Sequence, residues 1–439
     1  VRRKISFIEF DFILFIPTVA LIVIGILFIY SSGVSSTGIV FSKEYIKQII
    51  WAASGIIIFF LVAFFPFSRF KSISPFLYLG SVLILLLTPI IGKEVNGARS
   101  WIGVGDIGIQ PSEFTKIIVI LFLARYIVNN EKHMDSLKIF LVGFAIVLLP
   151  MFLILIQPDV GTTLVYLPIF LVMMYIGGTK TEYIAFIVLI LVFIGVLVSV
   201  FAFRDYVGIH TPSLIFSLVE ETTLKYIALS FFAILVTSLL GYVLIKKRYF
   251  YWITYFSLIL CISIIGAKAT EFVLKDYQIM RLIIFLKPDI DPRGYGWNII
   301  QSVTAVGSGG FWGKGFLHGT QSHYRFLPQQ STDFIFSILS EEWGFVGCFL
   351  VFLLFFTILI RGVYVAYSSR DNYAVLVGTG IVSMFFFHII VNIGMTIGIM
   401  PITGIPLFLL SYGGSSLWTA LIGVAILTSI KMESGRHLL

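Results

Sequence analysis

Apolar runs long enough to cross a lipid bilayer recur along this chain, and they leave few folds open. A helix needs about 20 predominantly apolar residues to traverse the hydrocarbon core. Such runs lie near Phe12–Tyr30, Tyr45–Phe65, Pro75–Ile91, Ser112–Val128, Lys138–Ile156, Thr163–Ile176, Tyr183–Phe203, Tyr226–Ile245, Tyr249–Ala269, Phe334–Ile360, Tyr373–Met395 and Tyr412–Ile430. With 59% hydrophobic and only 12% charged residues, no soluble core hides that much apolar surface. The fold class is an all-α polytopic membrane protein with about twelve transmembrane helices. The net charge of +8 then bears on topology and not on nucleic acid. Cys261 and Cys348 fall in apolar runs, with no disulfide framework or metal-ligand spacing around them, and read as small core residues.

Short cytoplasmic loops concentrate Lys and Arg. With Arg2, Arg3 and Lys4 inside, alternation puts Arg69 and Lys71, Lys132 and Lys138, and Lys180 on the same side. The Lys246-Lys247-Arg248 run, Arg361 and Arg370, and Lys431 and Arg436 join them. Both termini are then cytoplasmic, and the ARSW loop, the QPDVGT turn and the long segment after Ala269 face outward. The start, VRRKISFIEFDF, has no small-residue cleavage site after it and reads as a retained first span.

The longest stretch unfit for lipid runs from Asp276 to Gly344. A loop of that length is functional or disordered, and its Trp297, Phe311, Trp312, Phe316 and Phe326 favour a folded lid. It delivers Asp333 to the mouth of the next apolar helix. Asp333 has two compatible readings. One is an acid at the helix N-terminus, favoured by the dipole. The other is a carboxylate at the lip of a membrane cavity, taking a proton as general base.

Glu113 and Lys116 sit one turn into the fourth span, and a spacing of three puts them on one face. They read as a buried structural ion pair or as a phosphate-binding Lys116 held by Glu113. Arg99, Arg281, Lys287, Lys314 and Arg325 are outward cations suited to a pyrophosphate or to lipid headgroups. Glycines 307, 309, 310, 313, 315 and 319 let backbone amides approach a phosphate. No GxxxxGK[ST] motif is present, which disfavours a nucleotide site. Glu341 and Glu342 lie about 12 Å along the helix from Asp333 and read as hydrogen-bonding partners of a broken helix. His388 and Asn392 stand at i and i+4 on the eleventh span, where a lone His reads as a packed core residue and not a ligand. The Pro- and Gly-rich GIMPITGIPLFLLSYGGSS interrupts the last two spans. Non-helical backbone at that depth lines a cavity or is buried in protein.

These residues together resemble the SEDS family (shape, elongation, division and sporulation), and its RodA-like branch in particular. The matching blocks are NGARSW, QPSEFTK, QPDVGT, RLIIFLKP, DPRGYGW, QSVTAVGSGGFWGKG, GTQSHYRFLP, TDFIFSILSEEWG, NIGM and GIMPITGIPLFLLSYGGSS, in the family's order over nearly the whole chain. The resemblance implies a peptidoglycan glycosyltransferase of the bacterial cytoplasmic membrane that polymerises lipid II outside it. The family's essential acid falls on Asp333 and its paired Glu and Lys on Glu113 and Lys116. A class B penicillin-binding protein is the implied partner, and nucleic acid is not. Two departures stand out. Ser331 occupies the place of the family's usual His. The family core has ten spans, so 204–269 reads as a two-helix insertion into the single 1–439 membrane domain, ahead of an extracytoplasmic catalytic loop at 276–332.

The expected chemistry is an inverting transfer in which Asp333 activates the acceptor hydroxyl. Undecaprenyl pyrophosphate leaves, stabilised by Lys116 and by Arg99, Arg281 and Lys314 or a divalent cation. The alternative is a lipid II flippase, which broken spans and intramembrane charges would also suit.

Overall fold

A computed structural model describes residues 10–95, 98–104, 107–207, 220–273, 276–294 and 296–435. Arg2, Arg3, Lys4 and Arg436 of the topology argument lie outside the described residues, as do Asn96 and Gly97 of NGARSW and Tyr295 of DPRGYGW. The chain divides into two compact units, Val1–Thr179 with Asn298–Leu439, and Lys180–Trp297.

Each of the expected spans coincides with a helix. In the first unit these are α1 (Phe12–Ser32), α2 (Glu44–Ala63), α3 (Phe67–Ile91), α4 (Pro111–Asn129), α5 (Leu137–Ile156) and α6 (Val160–Ile176). In the second they are α7 (Thr181–Val207), α8 (Glu221–Ile245) and α9 (Arg248–Val273), followed by the shorter α10 (Asp276–Leu286). The first unit resumes with the short α11 (Trp297–Ser308) and α12 (Thr320–His323), then α13 (Ile335–Ser368), α14 (Asn372–Thr396) and α15 (Gly414–Gly435). Among the described residues, 10 helices are long and apolar enough to cross a membrane. The two expected spans below that standard are α6, which has 17 residues, and α4, which carries Glu113, Lys116 and Arg125. Both lie deep in protein, where a helix need not match lipid along its length.

Between α3 and α4 the expected polar loop is instead a three-stranded antiparallel sheet, β1 (Lys93–Val95), β2 (Ala98–Val104) and β3 (Ile107–Ile109). The long segment is likewise not structureless, since α10, α11 and α12 lie within it.

In the first unit α2 packs on α15 and α1 on α13, while α14 lies against α4, α6 and α13. Burial marks the centre: the apolar window of α15 is 83% enclosed and that of α2 only 28%. Proline explains several of the polar contacts between these helices. A proline inside a helix leaves the carbonyl four residues earlier without its amide donor, and lipid offers no replacement. Pro75 leaves Lys71 O, which the Arg125 guanidinium takes at 2.7 Å. Pro89 leaves Leu85 O, bonded by Gln157 Nε2 at 3.1 Å. Pro150 leaves Ile146 O, bonded by the Tyr78 hydroxyl at 2.7 Å. Pro75 therefore sits inside α3 and does not begin it.

The second unit has its own core, where Val198, Phe201, Leu224, Ile264 and Ala267 meet and Leu282 of α10 packs on them. Its α8–α9 turn ends α8 with Lys246 in the left-handed region at φ 55°. Glu182 ties α7 to α9 by accepting the Tyr251 hydroxyl at 2.8 Å and, through its carbonyl, that of Tyr255 at 2.7 Å.

Candidate active site

Asp333 is presented by its main chain. Three successive carbonyls are held, two by the segment between α14 and α15 and the third by Asn392 of α14. Tyr412 N–H donates to Ser331 O at 2.8 Å, the Ser411 hydroxyl to Thr332 O at 2.7 Å, and Asn392 Nδ2 to Asp333 O at 3.1 Å. Ser411 Oγ in turn accepts Leu407 N–H at 2.9 Å, so one hydroxyl joins both strands of backbone. Helix α13 starts at Ile335 with Phe334 at its cap and no side-chain cap bond. Asp333 is thus the residue before the cap and not the cap itself. Its side chain is half-buried. A methyl group at Gly404 would stand 3.8 Å from Asp333 Oδ2, and the Gly404 φ of +73° is one that glycine adopts at least cost.

That interrupting segment is seated in a ring of close approaches. Side chains at Gly25 or Gly161 would collide with the carbonyls of Leu410 and Thr403, so α1 and α6 touch it backbone to backbone. Gln48 of α2 brackets the turn, donating to Ser411 O at 3.3 Å and accepting Gly413 N–H at 3.2 Å. Asp159 caps α6 and accepts Gln110 Nε2 at 2.7 Å, while Gln110 N–H donates to Ser415 Oγ at 2.9 Å. The two QP motifs and the SYGGSS turn therefore meet.

Glu113 and Lys116 form the expected pair. Lys116 Nζ lies 2.7 Å from Glu113 Oε1, with side chains 0% and 3% exposed. The ammonium also lies 3.2 Å from His388 Nε2 and 5.2 Å from the Phe408 ring centroid. His388 Nδ1 lies 3.1 Å from Pro406 O. A carbonyl can only accept, so Nδ1 carries the proton and Nε2 accepts from Lys116. The Lys116 charge thus points at a carboxylate and an imidazole, and not at the outer surface.

The glycine-rich stretch meets a break in α13. Gly344 adopts φ 62°, ψ −158° in mid-helix. The opened carbonyls of Glu341 and Glu342 accept Lys314 N–H at 3.0 Å and Gly315 N–H at 2.9 Å. The freed amides of Phe345 and Val346 donate to Gly310 O at 2.9 Å and Phe311 O at 3.2 Å. A Cβ at Gly309 or Gly313 would strike the backbone of Ser340 or Glu342. These glycines admit the loop to the broken helix, which is a different use from approaching a phosphate.

Glu341 and Glu342 then fasten the loop by their side chains. Glu341, wholly buried, accepts from Thr320 N–H at 2.8 Å, Gln321 N–H at 3.0 Å and Lys314 Nζ at 2.7 Å. Glu342 accepts from the Ser31 hydroxyl, from Leu317 N–H at 3.1 Å, and faces His323 Nε2 at 3.3 Å. Glu342 and the Val34 carbonyl raise the His323 pKa above its ordinary value, against the effect of burial.

The remaining candidates are placed as follows. Arg99 stands on β2, exposed, 3.6 Å from Glu94. Lys314 is mostly covered, its ammonium shared between Glu341 and the Thr320 hydroxyl. Arg281 belongs to α10 of the second unit. The sequence by itself marks neither Ser411 nor Tyr412 and gives Asn392 no role beyond sharing a helix face with His388; the YGG turn is the available signal. Among the described residues no three His, Cys, Asp or Glu side chains are placed to hold a metal ion.

A family model described as cell cycle protein, covering FtsW, RodA and SpoVE, matches residues 12–226 and again 222–436. Peptidoglycan glycosyltransferase RodA of Treponema pallidum is 49% identical, over 96% of this chain and 98% of that protein. Stage V sporulation protein E of Bacillus subtilis is 32% identical over 97% of each. Peptidoglycan glycosyltransferase MrdB of Escherichia coli is 30% identical over 94% and 92%. Among solved structures, the Thermus thermophilus rod shape determining protein RodA superposes with a TM-score of 0.59 at 22% identity, over 98% of both chains. A chain of a peptidoglycan synthase complex gives 0.62 at 24%, over 97% and 98%. At these identities the structures establish a common fold.

Proposed function

The chain belongs to the FtsW/RodA/SpoVE family of cell cycle proteins, and from that premise we infer that it is a peptidoglycan glycosyltransferase serving cell elongation and rod shape. It is a multi-pass protein of the bacterial cytoplasmic membrane. Lipid II is the substrate in this reading, and a class B penicillin-binding protein cross-links the product. The basic residues between spans support cytoplasmic termini and an Asp333 that faces outward.

One observation carries the assignment of the acid. The main chain at Ser331–Asp333 is bonded at every carbonyl while the carboxylate stands half-buried beside a residue that has no side chain. Asp333 takes the proton of the 4-hydroxyl on the acceptor's terminal N-acetylglucosamine. That oxygen attacks the anomeric carbon of the donor N-acetylmuramic acid with inversion. The bond to undecaprenyl pyrophosphate breaks, and the diphosphate leaves with the electron pair. Base assistance supplies roughly 10²–10⁴-fold, so holding the two sugars in line must supply much of the rest.

Exposed Arg99 is our candidate for the diphosphate. Lys116 and Lys314 are assigned to positioning, since each ammonium is already matched to a buried carboxylate. The residues at 204–269 are proposed as a two-helix insertion, and the two family matches meet inside that range.

The test is lipid II polymerisation by purified protein, alone and with its cognate transpeptidase. Asp333→Asn should abolish chain growth while leaving the thermal midpoint unchanged, and normal growth by that variant removes Asp333 from the chemistry. In liposomes, labelled lipid II crossing the bilayer without glycan product would favour the flippase.

A further inference from the structure

His388 and Asn392 stand one turn apart on a single face of α14. Both are buried, 1% and 0% exposed. Each donates to the same short backbone segment. His388 Nδ1 bonds Pro406 O at 3.1 Å, and Asn392 Nδ2 bonds Ile405 O at 2.8 Å. Asn392 also reaches the Asp333 carbonyl at 3.1 Å. The next residue back, Gly404, is the one that stands behind the Asp333 carboxylate.

We propose that His388 and Asn392 are positioning residues for glycosyl transfer, setting the Asp333 carboxylate by clamping the Gly404–Pro406 backbone. The proposal rests on Asp333 being the base. The segment joins two spans, is non-helical and has no ladder of its own. Pro406 has no amide to donate and Gly404 no side chain to pack. Two buried carbonyls would lose their donors without the clamp, and such groups move to find others. A shift of about 1 Å in a catalytic group is enough to cost on the order of 10²-fold.

The His388 ring makes two polar contacts, and they separate by substitution. His388→Asn keeps a donor near Nδ1 for Pro406 O and loses the contact with Lys116. His388→Gln keeps an acceptor near Nε2 for Lys116 and loses Pro406 O. The ring also stacks on Phe408 at 3.7 Å between centroids, a packing role that both variants lose alike.

The experiment measures kcat and KM for lipid II polymerisation by the full chain, with thermal unfolding as the control for folding. His388→Gln and Asn392→Ala should lower kcat by about 10²-fold at nearly unchanged KM and folded fraction. His388→Asn should keep kcat within about tenfold of the parent. Retention by His388→Gln with loss in His388→Asn would overturn the clamp in favour of a Lys116 partner. Equal losses that follow the folded fraction would reduce both residues to packing. Asp333→Asn is assayed in parallel: if it polymerises normally, the base itself is misassigned, whatever the clamp variants do.

Discussion

The Lys314 ammonium lies 2.7 Å from Glu341 Oε1, and the carboxylate it meets is wholly buried inside a broken helix. The two residues are 27 apart in sequence, so this pair closes the glycine-rich loop onto α13. Lys314 itself retains some exposure, 26% of its side chain.

Lys314→Met therefore leaves a buried carboxylate short of its cation. We expect a loss of about 1–3 kcal/mol, read as a lower thermal midpoint and faster proteolysis between residues 310 and 323. Glu341→Gln should cost less on the charge side, because the orphaned ammonium can turn to water. A Lys314→Met protein as stable as the parent would show that the ion pair adds nothing to the other bonds holding the loop.

The break at Gly344 should tolerate no side chain. A Cβ there falls 2.2 Å from Gly313 N, and φ is already positive. Gly344→Ala should lose activity and folded yield together. Gly307→Ala, in helix with nothing within 4 Å of the added carbon, should be neutral or stabilise by about 0.4–1 kcal/mol. Similar behaviour of the two variants in thermal unfolding would contradict the close approach of loop and helix.

His323 should make the loop sensitive to pH. Its pKa is raised, first by the Glu342 carboxylate beside it. A raised histidine contributes its full stabilisation below the unfolded value, near 6.5. The contribution is lost as pH rises through the higher folded value. Hydrogen-exchange protection over residues 313–323, corrected for the intrinsic pH dependence of amide exchange, should fall across that window, and His323→Gln should abolish that fall. Protection that instead increased with pH would reverse the sign and remove the Glu342–His323 pair as its cause.

Tyr78 and Pro150 form a second testable couple. Tyr78→Phe removes the donor to Ile146 O, with an expected cost of about 1–3 kcal/mol for the exposed need of a buried carbonyl. Pro150→Ala restores an amide four residues on, so the double variant should recover most of the loss. Additive losses in a thermal double-mutant cycle would mean that the hydroxyl serves something other than the proline.

The Glu113–Lys116 pair was readable because it lies within one helix, where a spacing of three decides which side chains meet. The helices were readable because lipid demands long apolar runs. The sheet at 93–109 escaped, since its strands of 3, 7 and 3 residues are too short for an alternating pattern to register. The glycines were visible but their use was not. Absence of a side chain says that something approaches, and in this fold it is the backbone of α13.

Prolines 75, 89 and 150 show where that boundary lies. From the chain alone, Pro89 and Pro150 each announce a carbonyl that must find a donor, because hydrocarbon supplies none, while Pro75 reads as the start of its span. Arg125, Gln157 and Tyr78 were settled as those donors only when helices distant in sequence packed together. The same holds at the acid. Sequence determined that Asp333 ends a polar loop at the start of an apolar helix. Only the tertiary fold decided that Ser411, Tyr412 and Asn392 would hold the carbonyls around it, because a hydrogen bond depends on distance and direction in space and leaves no periodicity along the chain.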